Sequence, residues 1–520
     1  MNMKTIRYIL GAFAVTAALG LSSCIGDLDV TPIDPNMNTS DKALTSEADF
    51  TNFLAGIYAG YATSGYKGPN NDPSISGLDG GASQYVRGLY TMQELPTDES
   101  MCSWNDQTIK EFHRFNWTTS DVFIYAFYSR LCYQISMCNE FIRQANATSV
   151  SLNAKAQMID EARTLRTLCY YHGIDVFGNM PFADENMTVG AVKPEQVSRS
   201  ALYGWLETEL TDLIDNGHIP SARSAEYGRV DKGVAQMILA KLYLNAEVYT
   251  GTAAWDKCAT ILKAIMSEGY SLHDNYQELF LADNDQCTDE IMFAIEQDGV
   301  NTQSYGVTNY IIFASTGGEM DPASVGISSG LGGLRSTNAF VSKFANDDAR
   351  RLFFEGGTNG GPVTDGGDFT AGGYPCMKFK NINSDGTAGK AAGFVDTDFP
   401  VFRYADALLM YAECALHGAV TASEGLDAIN QVRARAGLEN VTELNANTII
   451  DERGRELYQE CWRRSDLVRF GMFTTDSYLW DFKGGAVDGK SVDSHLNLYP
   501  IPSQDMISND KLVQNPGYSR

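Results

Sequence analysis

The stretch DERGRELYQECWRRSDLVRF, which runs from Asp451 to Phe470, carries five arginines and five carboxylates around a single tryptophan. As a helix it would place Asp451 four residues from Arg455, and Glu460 four residues from Arg464, so that these charges have partners on the same face. A catalytic cluster more often leaves a carboxylate or a histidine unpaired in a cleft. The stretch therefore predicts a helix of the protein's frame, fixed in place by local ion pairs, and not an active site.

The helices around this stretch are arranged in pairs. The spacing of apolar residues predicts paired amphipathic helices at 121–143 with 158–176, at 230–251 with 253–270, and at 399–418 with 424–438. Such pairs, with small residues where the helices cross, resemble tetratricopeptide units, which bury their apolar faces by stacking on their neighbours. The pattern predicts a mostly α fold of this kind, and an irregular helical protein is the alternative that the pattern leaves open.

Two inserts between the helix pairs differ in composition. Residues 317–373 are rich in Gly, Ser, Asn and Asp with little periodicity, and residues 66–103 are similar. This composition predicts long loops around short strands. Binding residues usually lie on loops that a rigid frame supports, so the inserts are the expected place for a ligand site.

The N-terminus has the layout of a secreted lipoprotein. Lys4 and Arg7 precede an apolar run that is too short to span a membrane, and the run ends in Leu-Ser-Ser-Cys at residues 21–24, which resembles a bacterial lipobox. An ordinary signal peptide with a chance cysteine is the alternative. The sequence predicts a signal peptide at 1–23, a lipidated Cys24 that begins a flexible tether at 24–47, and one domain at 48–520.

Charge and cysteine usage exclude several functions. The net charge of −26 argues against nucleic-acid binding. Of the ten cysteines, those within helical patterns are expected to be small buried apolar residues, since no C-x-x-C pair suggests zinc or redox chemistry. They are Cys132, Cys138, Cys169, Cys258 and Cys414.

Two further motifs are expected to be misleading. The stretch GGAVDGKS, Gly484–Ser491, matches the phosphate-loop pattern, but the prolines that follow oppose the helix that a phosphate site needs, so a turn is predicted. The stretch ADNDQCTDE, Ala282–Glu290, has four carboxylates that could hold calcium, but it lacks the glycine and spacing of the helix–loop–helix site. A solvated acidic loop is expected there, without metal or cofactor, and calcium is kept as an open possibility.

The Asp451–Phe470 stretch is similar to the arginine-rich C-terminal helix of the SusD/RagB family, surface lipoproteins of Bacteroidetes that capture nutrients. The stretches FPVFRYADALLMYAEC (399–414) and YPIPSQDMISNDKLVQNPGY (499–518) resemble the family too, as does IGDLDVTPIDP after the lipobox. The resemblance covers nearly the whole mature chain. It implies tetratricopeptide-like helix pairs that form a right-handed superhelical frame with long loop-rich inserts. It also implies lipid anchoring in the outer membrane, facing the cell surface, where the protein covers a TonB-dependent barrel of the SusC type.

A glycan site needs aromatic faces under the sugar ring and polar groups at its hydroxyls. Trp104 lies in the polar loop ELPTDESMCSWNDQ, residues 94–107. The resemblance to the family's starch-binding founder implies stacking roles for Trp104 and Tyr305, and polar contacts by Asp79, Arg87 and Gln107. The founder has a further stacking tryptophan in a later loop, whereas residues 314–339 here contain no aromatic. The resemblance therefore implies a glycan ligand without specifying starch.

The sequence thus predicts a non-catalytic protein that captures oligo- or polysaccharide and delivers it to the transporter. One alternative is a peptide-capturing protein of the RagB branch. Another is a surface glycoside hydrolase, although the six histidines form no His-Glu-x-x-His motif and no Gly-x-Ser-x-Gly elbow is present.

Overall fold

The structure, a computed structural model, describes residues 43–519 except for 66, 70–72, 107, 188–189, 191, 357–360, 362 and 364–371. The predicted signal peptide, Cys24 and most of the predicted tether lie outside the described residues. Among the described residues, 43–51 and 149–152 fall in a small unit, and the remainder form a large unit. The fold described below is that of the large unit.

Helices dominate the described chain. They are α1 (Glu47–Ala62), α2 (Tyr85–Gln93), α3 (Ile109–Arg114), α4 (Val122–Ala147), α5 (Lys155–Val176), α6 (Arg199–Asp215), α7 (Lys232–Leu244), α8 (Ala246–Thr250), α9 (Trp255–Ser267), α10 (Val307–Ser315), α11 (Asn338–Val341), α12 (Tyr404–Leu416), α13 (Ala422–Arg435), α14 (Ala446–Leu457), α15 (Arg463–Arg469) and α16 (Ser503–Ser508).

Capping side chains and a glycine explain where several of the longer helices begin and end. Asp121 caps α4, because its Oδ1 accepts hydrogen bonds from Phe123 N at 2.9 Å and Ile124 N at 3.0 Å. A reciprocal capping box of Thr421 and Glu424 begins α13. Beyond the end of α5, Gly178 takes a φ of +75°, which glycine adopts without steric cost.

The helices pack in succession along the chain. α4 packs on α5, α5 on α6, α6 on α7, α7 on α9, α9 on α12, and α12 on α13. All three predicted helix pairs are present, but residues 399–403 form a strand before α12, and the predicted helix at 230–251 is divided into α7 and α8. The mostly α fold with stacked helix pairs is therefore confirmed, because each pair buries an apolar face that its neighbour covers.

Short strands join the frame to its inserts. β1 (Met101–Cys102) pairs antiparallel with β5 (Leu334–Arg335), and β4 (Ile291–Ile295) pairs antiparallel with β6 (Phe399–Arg403). A third pair joins β2 (Met180–Pro181) to β3 (Gln196–Val197). The prediction of loops throughout residues 66–103 is wrong in one part, because α2 lies there with a buried apolar face.

The prediction of one helix over Asp451–Phe470 is wrong. The chain breaks between α14 and α15, where Gln459 and Cys461 take positive φ values of +60° and +68°. The break separates Glu460 from Arg464, so that expected pair is not formed. The expected pair Asp451–Arg455 is absent for another reason, because Asp451 pairs with Lys343 and Arg455 pairs with Glu452.

The partners of these charges form a buried network. Arg403 Nη1 donates to Glu290 Oε1 at 2.5 Å and to Glu456 Oε1 at 2.9 Å, and its Nε donates to Glu460 Oε2 at 2.7 Å. Arg350 Nη1 joins the same network through Glu456 Oε2 at 3.2 Å. Buried charges of this kind are tolerated because each has opposite charges and hydrogen bonds around it. The stretch belongs to the frame, as predicted, through these long-range contacts and through local pairs such as Arg453 with Asp466.

The nine described cysteines are unpaired, and all are buried except Cys132, which is half-buried. The prediction that the helical cysteines are small core residues is confirmed for four of the five, all but Cys132. Burial raises the pKa of the Cys169 thiol to about 12 and that of the Cys376 thiol to about 12. These thiols are therefore protonated at neutral pH, and only the thiolate is a strong nucleophile.

Candidate functional site

The predicted ligand residues gather around the first turns of α2 and α10. Gln84, the N-cap of α2, accepts hydrogen bonds at Oε1 from Arg87 N at 2.8 Å and from Val307 N at 3.1 Å. One side chain thus joins the starts of two helices that are distant in sequence. Val307 has a φ of +52°, a strained value for a β-branched residue. The contact with Gln84 holds this turn, which presents Tyr305 beside α2.

Arg87 lies over aromatic rings. Its Cζ atom is 4.7 Å from the ring centroid of Tyr310 and 5.9 Å from that of Trp104. Cation–π contacts at these distances are favourable and hold the guanidinium in place. Arg87 Nε is buried and has no hydrogen-bond partner among the described residues. A polar ligand atom that reached this nitrogen would satisfy it.

Asp79 and Arg87 flank the same glycine. A Cβ atom at Gly81 would lie 2.6 Å from Arg87 Nη1 and 3.2 Å from Asp79 Oδ1. Asp79 is exposed, and its Oδ1 accepts a hydrogen bond from Ala82 N at 2.8 Å. The absence of a side chain at Gly81 therefore lets a carboxylate and a guanidinium approach one patch of surface, where both could bind hydroxyl groups.

Trp104 is half-buried at the end of β1. Ser103 N donates to Gly333 O at 2.9 Å, which brings the glycine-rich loop before β5 under the indole. A Cβ atom at Gly333 would lie 2.3 Å from Trp104 Nε1, and this nitrogen donates to Leu331 O at 3.4 Å. The ring meets Tyr310 edge to face, with the centroids 5.8 Å apart. Trp104 is thus neither a core residue nor a freely exposed one, because one side is supported and part remains accessible.

Tyr305 is 43% exposed, immediately before α10. Its ring centroid lies 5.5 Å from that of Phe394, and the two ring planes are tilted by 38°. The structure therefore groups Arg87 and Trp104 around Tyr310, and it places Asp79 beside Arg87 at Gly81. Tyr305 lies on the turn that leads into the same helix as Tyr310. Gln107 lies outside the described residues, so its predicted role stays a prediction.

Sequence reasoning missed Tyr310 and Phe394. Tyr310 is 4% exposed and falls in an apolar helical pattern, so the sequence indicates only a core residue there. Phe394 carries a weak signal, because it is a large aromatic residue in the glycine- and alanine-rich loop 388–394. Neither residue can be connected to the site without the fold.

The segment between Arg87 and Trp104 is fixed to the frame by buried carboxylates. Burial raises the pKa of Glu94 to about 7, and burial together with the neighbouring Glu94 raises the pKa of Glu99 well above its usual range. Burial would also raise the pKa of Asp98, but the Arg463 guanidinium outweighs it and holds that pKa below its usual value. None of these carboxyl groups is exposed, so they hold the segment in place and are not available to a ligand.

Three of the four carboxylates of Ala282–Glu290 have separate partners, and the buried Glu290 departs from the predicted solvated loop. Asp283 accepts hydrogen bonds from Ser384, Asp289 contacts His273, and Glu290 pairs with Arg403 and Arg435. Among the described residues, no group of three or more His, Cys, Asp or Glu side chains is arranged to hold a metal ion.

The Gly484–Ser491 stretch contains only a short 3-10 turn at its start, and its Gly484, Gly485 and Gly489 take positive φ values, as expected for a turn.

Open surface clefts lie elsewhere in the large unit. A cavity of about 610 Å³ is lined by Trp255 and His417 on the helical frame, and one of about 590 Å³ is lined by Arg114 and Lys490. Neither is lined by Trp104, Arg87 or Tyr305. We give the aromatic surface more weight than these cavities, because sugar recognition needs ring faces and nearby polar groups.

No helix in the described part of the chain is long and apolar enough to cross a membrane.

Comparison with known proteins identifies relatives of this chain. The SusD family model matches residues 353–518. The starch-binding protein SusD of Bacteroides thetaiotaomicron is 34% identical over 573 aligned residues, which cover 100% of both chains.

Solved structures share the fold. Surface glycan-binding protein A from Bacteroides thetaiotaomicron matches with a TM-score of 0.72 at 19% identity, over 91% of this chain and 100% of that one. The same protein in complex with laminarihexaose matches with a TM-score of 0.69 at 18% identity, again over 91% and 100%.

Proposed function

The chain belongs to the SusD family, and from this premise we propose that it is a non-catalytic glycan-binding protein of the cell surface. The proposal depends mainly on one group of residues. Trp104 and Arg87 lie around Tyr310, Asp79 lies beside Arg87 at Gly81, and exposed Tyr305 lies on the adjoining turn. Aromatic faces supply the apolar contact for a sugar ring, and the charged groups supply hydrogen bonds to its hydroxyls. Two relatives support a glycan ligand, since one is named for starch and another was solved with laminarihexaose.

The proposal extends to anchoring and delivery. Lipidation of Cys24 after removal of residues 1–23 would attach the protein to the outer membrane, facing the cell surface. Several acyl chains on one residue give a stable anchor where a single chain does not. The partner would be a TonB-dependent barrel transporter of the SusC type, which receives the captured oligo- or polysaccharide. We expect a much larger outer-membrane protein to co-purify with this chain from native membranes in mild detergent. That result would support the partnership.

Binding and catalysis are separated by one experiment. The purified protein is titrated calorimetrically with maltoheptaose, laminarihexaose and a mixture of oligopeptides, and each glycan is then assayed for released reducing ends. Saturable heat with at least one glycan and no release of reducing ends agrees with the proposal. Steady release would indicate a glycoside hydrolase, and heat only with peptides would indicate a peptide-capturing protein. Repeating the titration in EDTA tests the proposal that no calcium is needed.

A further inference from the structure

His273 lies on the loop after α9, and both nitrogens of its ring contact carboxylates. Nδ1 is 3.0 Å from Asp289 Oδ1, and Nε2 is 2.9 Å from Glu278 Oε2. All three side chains are half-buried. Glu278 belongs to the 3-10 helix Tyr276–Phe280, whereas Asp289 lies near the end of the Ala282–Glu290 stretch. The imidazole therefore joins two segments of the chain.

The two contacts favour one charge state of the ring. A neutral imidazole has one N–H donor and one nitrogen lone pair, so one of the two carboxylates would face a lone pair. The imidazolium donates from both nitrogens and attracts both carboxylates. Burial would lower the pKa of His273, but the carboxylates of Glu278 and Asp289 outweigh it and raise that pKa above its usual value. The protonated ring is thus the form that fits this site.

The other groups around the ring keep their charge near neutral pH. His273 N donates to Glu290 Oε2 at 2.7 Å, and Arg435 Nη1, from α13, donates to His273 O at 3.3 Å. Glu290 and Arg435 also pair with each other, so their charges largely offset at the ring. Burial raises the pKa of the Cys287 thiol to about 12, which keeps it neutral. His273 is therefore the group of this cluster that changes charge.

We propose that His273 is a pH-sensitive link, which holds the end of the Ala282–Glu290 stretch to the 3-10 helix when its ring is protonated and releases it when the ring is neutral. The inference goes beyond the proposed function, because none of these residues belongs to the candidate glycan site. The folded state binds this proton more tightly than the unfolded state does. The contribution of the link to stability is therefore present below pH 6.5 and is lost as the pH rises through the higher folded pKa.

The release should be local. The start of the stretch is held by bonds that do not involve His273, since Ala282 N donates to Ile382 O at 2.9 Å and Ser384 Oγ donates to Asp283 Oδ2 at 2.6 Å. Glu278 and Asp289 are partly exposed, so water can solvate both carboxylates once the link opens. We therefore expect a looser segment at high pH, with the frame unchanged.

The first test follows the histidine rings by NMR in the native protein, in Glu278→Gln and in Asp289→Asn. The chain has six histidines, and His273→Gln assigns the signal of interest. We expect His273 to titrate with a midpoint above 6.5 and each variant to lower that midpoint. His417 is the control, because its ring stacks on Trp255 and burial lowers its pKa. Neither variant should move the His417 midpoint.

The second test measures amide hydrogen exchange at pH 6 and pH 8, corrected for the intrinsic dependence of exchange on pH. The amides of Glu278 and Cys287 each donate a hydrogen bond within their own segment. Their protection should fall about two- to tenfold between the two pH values, because one pKa unit corresponds to a factor of ten. The amides of α14 should not change, and His273→Gln should show no such fall.

Two results on the native protein would overturn the inference, so they remain decisive even if a variant fails to fold. A His273 midpoint below 6.5 would show that the carboxylates do not stabilise the imidazolium. A raised midpoint with protection that is independent of pH would show that the ring does not hold the two segments together. Either result leaves the proposed function intact, and a failure to bind glycans would leave this inference intact.

Discussion

Asp98 accepts two hydrogen bonds from Arg463, from Nε at 2.8 Å and from Nη2 at 2.7 Å, and both side chains are buried. Beside this pair, Gln459 N donates to Glu99 Oε2 at 2.9 Å. These bonds join the segment that ends at Trp104 to Gln459, after α14, and to Arg463, at the start of α15. The arginine-rich stretch thus has an indirect part in binding, because it fixes the segment that carries the candidate site.

Removal of Arg463 should destabilise the protein strongly. In Arg463→Ala, Asp98 would stay buried without its charge partner, and loss of one partner of a buried pair costs roughly 3–5 kcal/mol. We expect that decrease in the free energy of unfolding by urea denaturation. Lys193→Ala is the control, because the pair of Lys193 with Asp510 is exposed, and its loss should cost at most about 1 kcal/mol. Equal, small losses in the two variants would contradict the role given to Asp98 and Arg463.

Truncation of Trp104 should weaken glycan binding. Loss of one aromatic–sugar contact is worth on the order of 1 kcal/mol, so Trp104→Ala should bind about tenfold more weakly in calorimetry. The half-buried ring should also contribute roughly 1–2 kcal/mol to stability. Trp255→Ala is a matched control, because Trp255 is half-buried on the helical frame, stacked on His417 at 3.8 Å. Both variants should melt earlier, and only the first should lose affinity. A loss of stability in Trp104→Ala without loss of affinity would assign the residue to packing.

A methyl group at Gly333 should displace the indole without removing it. The added Cβ atom would lie 2.3 Å from Trp104 Nε1, so the ring must move. We expect Gly333→Ala to lower glycan affinity and to change the tryptophan fluorescence. Gly204→Ala, on α6, meets no atom within 4 Å and should alter neither. Native affinity in Gly333→Ala would show that the placement of the indole against this loop is unimportant for binding.

Glu94 should make stability depend on pH. Its pKa in the folded protein, raised by burial to about 7, lies above the ordinary glutamate value of 4.5. The folded state therefore holds a proton that the unfolded state releases between these values, so this contribution to stability is present below pH 4.5 and lost as the pH rises toward 7. Glu94→Gln cannot ionise.

Urea denaturation at pH 5 and pH 8 tests this expectation. When the pH is raised from 5 to 8, the unfolding free energy of the native protein should fall by roughly 1–3 kcal/mol relative to that of Glu94→Gln. Asp398→Asn provides a comparison, since burial raises the pKa of Asp398 to about 8 and should extend the same trend to higher pH. Parallel pH profiles for the native protein and Glu94→Gln would exclude a titrating Glu94.

The helices could be predicted from the sequence because their signals are local. Asp121 at the start of α4 and Gly178 after α5 act within a few residues, and the apolar spacing between them follows the helical period. The partners of Asp451 and Glu460 could not be predicted in this way. Asp451 pairs with Lys343, and Glu460 pairs with Lys378 and Arg403, which a helical projection of the stretch cannot reveal.

The candidate site was predictable only in part. Resemblance to the family gave Trp104, Arg87, Asp79 and Tyr305, but the grouping of the first three depends on Tyr310 and Gly81, which carry no sequence signal of their own. Phe394 adjoins Tyr305 because hydrogen bonds from Asn381 and Ser328 place its loop there. Such contacts between distant segments arise from the packed frame, and no local pattern records them.

The shielded thiols make this protein a favourable scaffold for site-specific labelling. Eight of the nine described cysteines are buried and Cys132 is half-buried, so a cysteine introduced at the exposed position Leu331 should be the preferred target for a maleimide dye. A fluorophore at that position would adjoin the loop under Trp104. Changes in its emission would then report ligand arrival directly, on single molecules or on living cells.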